Sequence, residues 1–505
     1  MADTISKLLA AHPAEAQAIG APGRAWLTYG GLRDLSQDVR ESLNGFGIGP
    51  KDRVAIVLPN GPEMAVAFVT IAQAATTAPL NPAYREEEFA FYLEDLKAKA
   101  ILVAEDYDGP ALTAAEMFGL TVLRLGVPED APAGAFRLSG PAGKLAEGQP
   151  GPDDIALILH TSGTTSRPKI VPLLQSNIVA SARHIEASLE LGSSDRCLNV
   201  MPLFHIHGIV AAVAASLAAG GSIWCAPGFD ALRFFGWMSE AKPTWDTAGP
   251  TMHQAILSRS ARNAEVIAAN PLRFVRSSSA SLPPQVFAAL TEAFGAPVIE
   301  GYGMTEATHQ MASNPLPPRA QKPGSVGVAA GPLVRIADEA DDRLVDGPGE
   351  VVISGPNVTP GYEGNAEANA KNFFETDGKR WFRTGDQGAF DEEGYLRLTG
   401  RLKEIINRGG EKISPLEVDE VLMNHPAVAQ CVAFAIPHAK LGEEVGAAVV
   451  LREGAVATEQ GIREFAVEQA ADFKVPRKIV ILDEIPKGAT GKMQRIGMAE
   501  KLGLS

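Results

Sequence analysis

Cysteine is scarce in this chain. Its 505 residues include three, Cys197, Cys225 and Cys431, an odd number with no C-x-x-C spacing. That fits reduced thiols in a cytoplasmic protein better than a disulfide scaffold or a zinc site. Positive charge is also in deficit: 60 Asp and Glu against 45 Lys and Arg leave a formal net charge of −15. A surface that displaces counterions from nucleic acid needs the opposite sign, so no nucleic-acid partner is expected, and a small anionic ligand has to be caught by local cations. Met1 to Pro13 contain no cationic stretch running into a long apolar one, and Leu502 to Ser505 form no peroxisomal address, so a cytoplasmic location is expected. One long stretch, Gly208 to Ala226, lacks charge. It is mostly Ala, Gly and Ser, which favours a buried helix followed by a strand over a membrane span.

What is present is an ordinary globular composition, 46% hydrophobic and 21% charged, in a chain too long for one core and sufficient for about three folding units. From 27 to 330, apolar runs such as Arg53 to Leu58 and Ala100 to Val103 alternate with Ala-rich stretches such as Glu63 to Ala75. This is the rhythm of a largely parallel, helix-covered α/β sheet. After about 325 the texture turns to short strands punctuated by Gly and Asp (350–353, 381–383, 395–398). From 401 onward a helix at Pro415 to Asn424 and strands at 430–436 and 446–451 suggest a separate α+β unit. The expected organisation is thus a large N-terminal domain over 1–400, with a β-rich subdomain at about 325–400, and a small mobile lid over 401–505. No repeat, low-complexity tract or long linker interrupts it, so motion of the lid requires a tight hinge.

Residues 161–169 read Thr-Ser-Gly-Thr-Thr-Ser-Arg-Pro-Lys. Apolar runs at 155–159 and 170–173 flank them, so the loop joins strand to strand. A Walker A loop needs a second glycine before its lysine and a helix after it; Pro168 occupies that place and the P-loop reading fails. A polyphosphate clamp remains, built from Thr161, Ser162, Gly163, Thr164 and Thr165 with Lys169 as its cation. Alone, such a stretch is more often a surface turn.

Its partners change that balance. Pro202-Leu203-Phe204-His205, Tyr302-Gly303-Met304-Thr305-Glu306, Thr384-Gly385-Asp386, Gly400-Arg401-Leu402-Lys403-Glu404 and Gly491-Lys492 follow in order. Taken singly, each has an ordinary reading as a core tyrosine, a helix start, a turn or a solvated lysine. Together, over nearly the whole chain, they resemble the core motifs of the adenylate-forming superfamily of acyl-CoA synthetases, luciferases and peptide-synthetase adenylation domains. The resemblance implies ATP and Mg²⁺ as cofactors and coenzyme A as cosubstrate. It puts Tyr302 on the adenine with the Glu300-Gly301 backbone at the base edge, Thr305 on the α-phosphate, Glu306 on Mg²⁺, Asp386 on the ribose, and Arg401 on the ribose or a phosphate. Lys492 would bridge the substrate carboxylate and the α-phosphate during adenylation. The lid would then turn about Lys403, withdrawing Lys492 and bringing a second face, with Gly409, Gly410 and Lys440, toward coenzyme A. Most relatives carry glycine where Ser166 stands. This departure, with Ser277 to Leu282 and Ala307 to Met311, is similar to the oxalyl-CoA synthetase branch.

A long fatty acid requires an apolar tunnel, whereas a short dicarboxylate requires a small pocket with donors for its second carboxylate. His309, Ser279 and His207 are the expected donors, and His205 stands where the family often gates the pocket. A zinc reading for His205 and His207 lacks a further ligand nearby. Oxalate is the expected acid of a monomeric or homodimeric enzyme. The alternatives are malonate or another short or aromatic acid, a carrier-protein thiol in place of coenzyme A, and a nucleotide-binding sensor without turnover.

Overall fold

The computed structural model describes residues 3–161, 168–486 and 493–504. Two large sheets dominate. In the seven-stranded sheet, Thr121–Gly126, Ala100–Ala104, Arg53–Val57, Thr76–Pro79 and Ile155–Thr161 run parallel, and antiparallel strands close both edges. In the nine-stranded sheet six parallel strands form the centre, among them Arg196–Asn199, Trp245–Ala248, Phe274–Ser277 and Val298–Met304. The central strands are buried on both faces, as their unbroken apolar runs require when helices cover a sheet on both sides. One hydrophobic cluster contains Ile56 of the first sheet and Ile223 of the second, together with residues of the helix Pro62–Ile71, buried at every position but Glu63. That helix starts on a proline suited to its first turn. It ends earlier than the alanine-rich sequence suggests, because Ala74 and Ala75 both donate to the Ile71 carbonyl and turn the chain into Thr76–Pro79.

Ile155–Thr161 and Lys169–Leu174 pair as antiparallel strands. The uncharged stretch forms a buried π-helix, His207–Ala214, a short α-helix, Ala215–Ala218, and the strand Ser222–Cys225. No helix among the described residues is long and apolar enough to cross a membrane. A six-stranded sheet contains Leu333–Ala337, Gly349–Ser354, Lys379–Phe390 and Leu396–Arg401. A five-stranded sheet follows, in which the edge strand Val428–His438 pairs along its length with Gly442–Leu451 and Pro415–Met423 packs against it.

One buried acid carries a consequence for stability. Asp246 lies in a central parallel strand, and burial pushes its carboxyl from 3.8 up to about 8. The folded chain therefore holds a proton that the unfolded chain has already released, and stability declines as pH rises toward the folded value. Thermal melts between about pH 5 and about pH 8.5 should show a falling midpoint whose slope Asp246→Asn reduces, the buried Glu300 carboxyl, also raised to about 8, supplying the rest. An undiminished slope in the variant would remove Asp246 as its source.

Candidate active site

A cavity of about 420 Å³ opens at the carboxyl ends of Phe274–Ser277 and Val298–Met304, where the two smaller sheets approach the large one. Crevices beyond the carboxyl ends of parallel strands are where open α/β sheets bind ligands. Ser279, Tyr302 and Gly303 line it from the large sheet, Asp386 and Arg401 from the six-stranded sheet, and Met493–Ile496 from the C-terminal segment.

At one end Tyr302 and Asp386 form a unit. The Tyr302 hydroxyl donates to Asp386 Oδ2 at 2.5 Å, and burial together with that carboxylate holds the phenol well above its usual range. Asp386 faces Arg401 across an antiparallel pair, with Arg401 Nε 3.3 Å from Oδ1. Gly301 lines the cavity, but the Gly301 carbonyl already accepts from Ser278 Oγ and the Glu300 carbonyl from the Asn314 amide. The Glu300 side chain turns to the wall instead, where Oε1 accepts the Leu282 amide at 3.0 Å.

Thr305 opens a single 3₁₀ turn, Thr305–Ala307. Glu306 is buried, its Oε1 accepting from the Tyr362 hydroxyl at 2.7 Å, and the Lys169 ammonium lies 4.3 Å from the centre of the Tyr362 ring. Burial lowers the Lys169 pKa, and Glu306 opposes that shift. No group of three or more His, Cys, Asp or Glu side chains able to hold a metal occurs among the described residues. A cation at Glu306 would therefore take its other oxygens from phosphate and water. That donor set suits Mg²⁺, which keeps waters and binds through one or two carboxylates plus phosphates.

The polar wall behind Ser279 forms the other end. The π-helix begins on His207, whose ring is fully buried, with Nδ1 2.8 Å from Ser279 Oγ and Nε2 2.6 Å from Thr247 Oγ1. His309 packs against the His207 ring, with centroids 5.3 Å apart, and its Nε2 is 3.4 Å from Ser278 Oγ. It sits behind Gly303, where a Cβ would meet the His309 carbonyl oxygen at 1.8 Å. Of the three residues expected to hold the acid, Ser279 alone lines the cavity; His207 and His309 stand behind it. Ser279, just past the end of Phe274–Ser277, takes a φ of 79°, and Thr308 and His309, which follow the Thr305–Ala307 turn, take 50° and 87°. Half-buried His205 lies two residues before His207, and its Nδ1 accepts the His207 amide at 3.4 Å.

Exposed Lys403 falls in the turn at 402–404 that links the six-stranded to the five-stranded sheet. Gly409, Gly410 and Lys440 come together at one corner of the latter sheet, where the Gly409 amide donates to the Leu441 carbonyl at 2.8 Å. None of these four lines the cavity. Ser162, Gly163, Thr164, Thr165 and Lys492 lie outside the described residues.

The sequence matches the model of the AMP-binding enzyme family over residues 7–363 and that of the AMP-binding enzyme C-terminal domain over 417–492. The chain belongs to the AMP-binding enzyme family. Within this family it is 46% identical to an oxalate–CoA ligase of Arabidopsis thaliana, over 98% of this chain and 97% of that protein. It is 42% identical to an oxalate–CoA ligase of Saccharomyces cerevisiae, over 90% and 88%. Among solved structures it superposes on ATP-bound MatB from Rhodopseudomonas palustris with a TM-score of 0.87, at 28% identity and 99% coverage of both chains.

Three residues of this AMP-binding enzyme's site escaped the sequence reading. Tyr362 is a hydrogen-bond partner 56 positions from Glu306, and Thr247 is 40 positions from His207. Arg276 is fully buried in the Phe274–Ser277 strand. A lone arginine inside an apolar strand was the one available signal, since arginine is almost never fully buried without a partner.

Proposed function

We propose that the chain is an AMP-forming acid–CoA ligase that converts oxalate, ATP and coenzyme A into oxalyl-CoA, AMP and diphosphate. The observation that carries this reading is the acid end of the site, where Ser278, Ser279, His207, His309 and Arg276 stand where an apolar tunnel would be needed for a fatty acid. The two relatives named oxalate–CoA ligase support it over nearly the full length.

In the first half-reaction the oxalate carboxylate attacks the α-phosphate and diphosphate leaves. Tyr302 stacks on the adenine, Asp386 and Arg401 hold the ribose, and Thr305 donates to the α-phosphate. Thr161, Ser162, Gly163, Thr164, Thr165 and Lys169 clamp the remaining phosphates. Glu306 holds Mg²⁺, which when bound neutralises phosphate charge. Lys492 draws the two anions together. In the second half-reaction the lid turns about Lys403, the corner bearing Gly409, Gly410 and Lys440 faces the cleft, and the coenzyme A thiol displaces AMP. His205 gates the acid pocket. The enzyme acts in the cytoplasm on small molecules, as a monomer or homodimer, without nucleic acid or membrane partners.

Incubation with ATP, Mg²⁺, coenzyme A and oxalate should yield AMP and oxalyl-CoA by mass spectrometry. Malonyl-CoA or an aryl-CoA in place of that product removes oxalate and keeps the ligase. Acyl-hydroxamate formation without coenzyme A turnover would favour a carrier-protein acceptor, and ATP binding with no diphosphate release on any acid would leave a sensor.

A further inference from the structure

One charged group at the acid end takes no part in either half-reaction as described. Arg276 is fully buried, and no carboxylate pairs with it among the described residues. Its Nε has no hydrogen-bond partner, and its other contacts are long: Nη1 to His207 Nε2 at 3.3 Å and to Thr247 Oγ1 at 3.5 Å, Nη2 to Gln310 Oε1 at 3.4 Å. Burial pushes the guanidinium down to about 10, which leaves it a cation at neutral pH. A buried charge without a counter-charge is costly to maintain. Gly301 shows where the counter-charge can come from. A Cβ there would stand 3.1 Å from Arg276 Nη2, and Gly301 lines the cavity, so a single glycine separates the guanidinium from that space.

The hydrogen-bond polarity runs outward from this cation. An arginine can only donate, so His207 Nε2 accepts and the imidazole proton lies on Nδ1. Nδ1–H then donates to Ser279 Oγ at 2.8 Å. With its oxygen accepting from His207, Ser279 has its own hydroxyl hydrogen left to donate, and Ser279 lines the cavity. Its φ of +79° is a conformation that serine adopts at a cost, of the kind found at ligand clamps.

We propose that Arg276 is a positioning residue that makes this enzyme select a dicarboxylate: through His207 it aims the Ser279 hydroxyl at the substrate's second carboxylate, whose charge it offsets across Gly301. The inference rests on the acid–CoA ligase reading above. Steady-state kinetics on the full chain, with oxalate and acetate as alternative acids, separate the two. A wild type that prefers oxalate upholds the reading; one that forms thioesters without preferring the diacid keeps the ligase and overturns the proposal, and one that activates neither acid removes the reading.

Given that preference, Arg276→Met should lower kcat/KM for oxalate on the order of 10²-fold more than for acetate, and raise KM for oxalate far more than KM for ATP. Ser279→Ala should lose the same discrimination, and the double variant should be little worse than either single one, since residues acting as one unit are not additive. An unchanged oxalate-to-acetate ratio in folded Arg276→Met, or losses that multiply in full, would overturn the proposal. Should Arg276→Met fail to fold, His207→Phe leaves the arginine in place and cuts its link to Ser279. The same loss of ratio is expected there, and a retained ratio overturns the proposal.

Discussion

Lys492→Ala should abolish most diphosphate release while a supplied oxalyl-adenylate is still converted to thioester. The substrate carboxylate and the α-phosphate are both anions, and their approach in the adenylation step is opposed until a cation stands between them. Removing one such electrostatic group costs about 10²- to 10³-fold in rate. Met493 to Ile496 line the cavity, and Lys492 immediately precedes them in sequence. The thioester step needs no such bridge, because the phosphate is then the leaving group and its partner a neutral carbonyl. Diphosphate release and adenylate-to-thioester conversion are separate assays on one preparation. Equal loss in both would sink the division of labour between the lid's two faces.

The second large effect is expected at Glu306. Glu306→Gln keeps the size and leaves an oxygen for the Tyr362 hydroxyl, yet removes the charge a hard divalent cation requires. Adenylation should drop about 10²-fold or more, and the Mg²⁺ concentration giving half the maximal rate should rise steeply. The counterpart change, Tyr362→Phe, leaves the carboxylate charged and should shift that concentration far less. A Glu306→Gln enzyme with normal Mg²⁺ dependence would place the cation elsewhere.

How much of this was legible from the chain depends on distance along it. The parallel strands could be read from runs such as Arg53 to Val57, because burial on both faces leaves no alternation to obscure them. The strand-loop-strand at 155–174 followed from local pattern alone. Asp386 and Arg401 belong to separate motifs, and their pairing in register across two strands was not visible from either. The acid end was half legible. Ser279, His207 and His309 could be named as donors, but not that the two rings pack together and lie behind the wall. Arg276 was missed because its meaning depends on what surrounds it in space: three contacts drawn from positions 207, 247 and 310.

Exposed ion pairs link the C-terminal unit to the rest of the chain. Lys412 meets Glu339 at 2.5 Å and Arg397 meets Glu420 at 2.9 Å, and both cations are more than half exposed. Pairs of this kind hold with roughly 0–1 kcal/mol each and weaken as salt rises. On the proposed lid motion, rupture of these pairs makes ionic strength, besides the ligand beneath, a control on the lid's position. Buffers differing only in potassium chloride would then give different ratios of the two half-reaction rates.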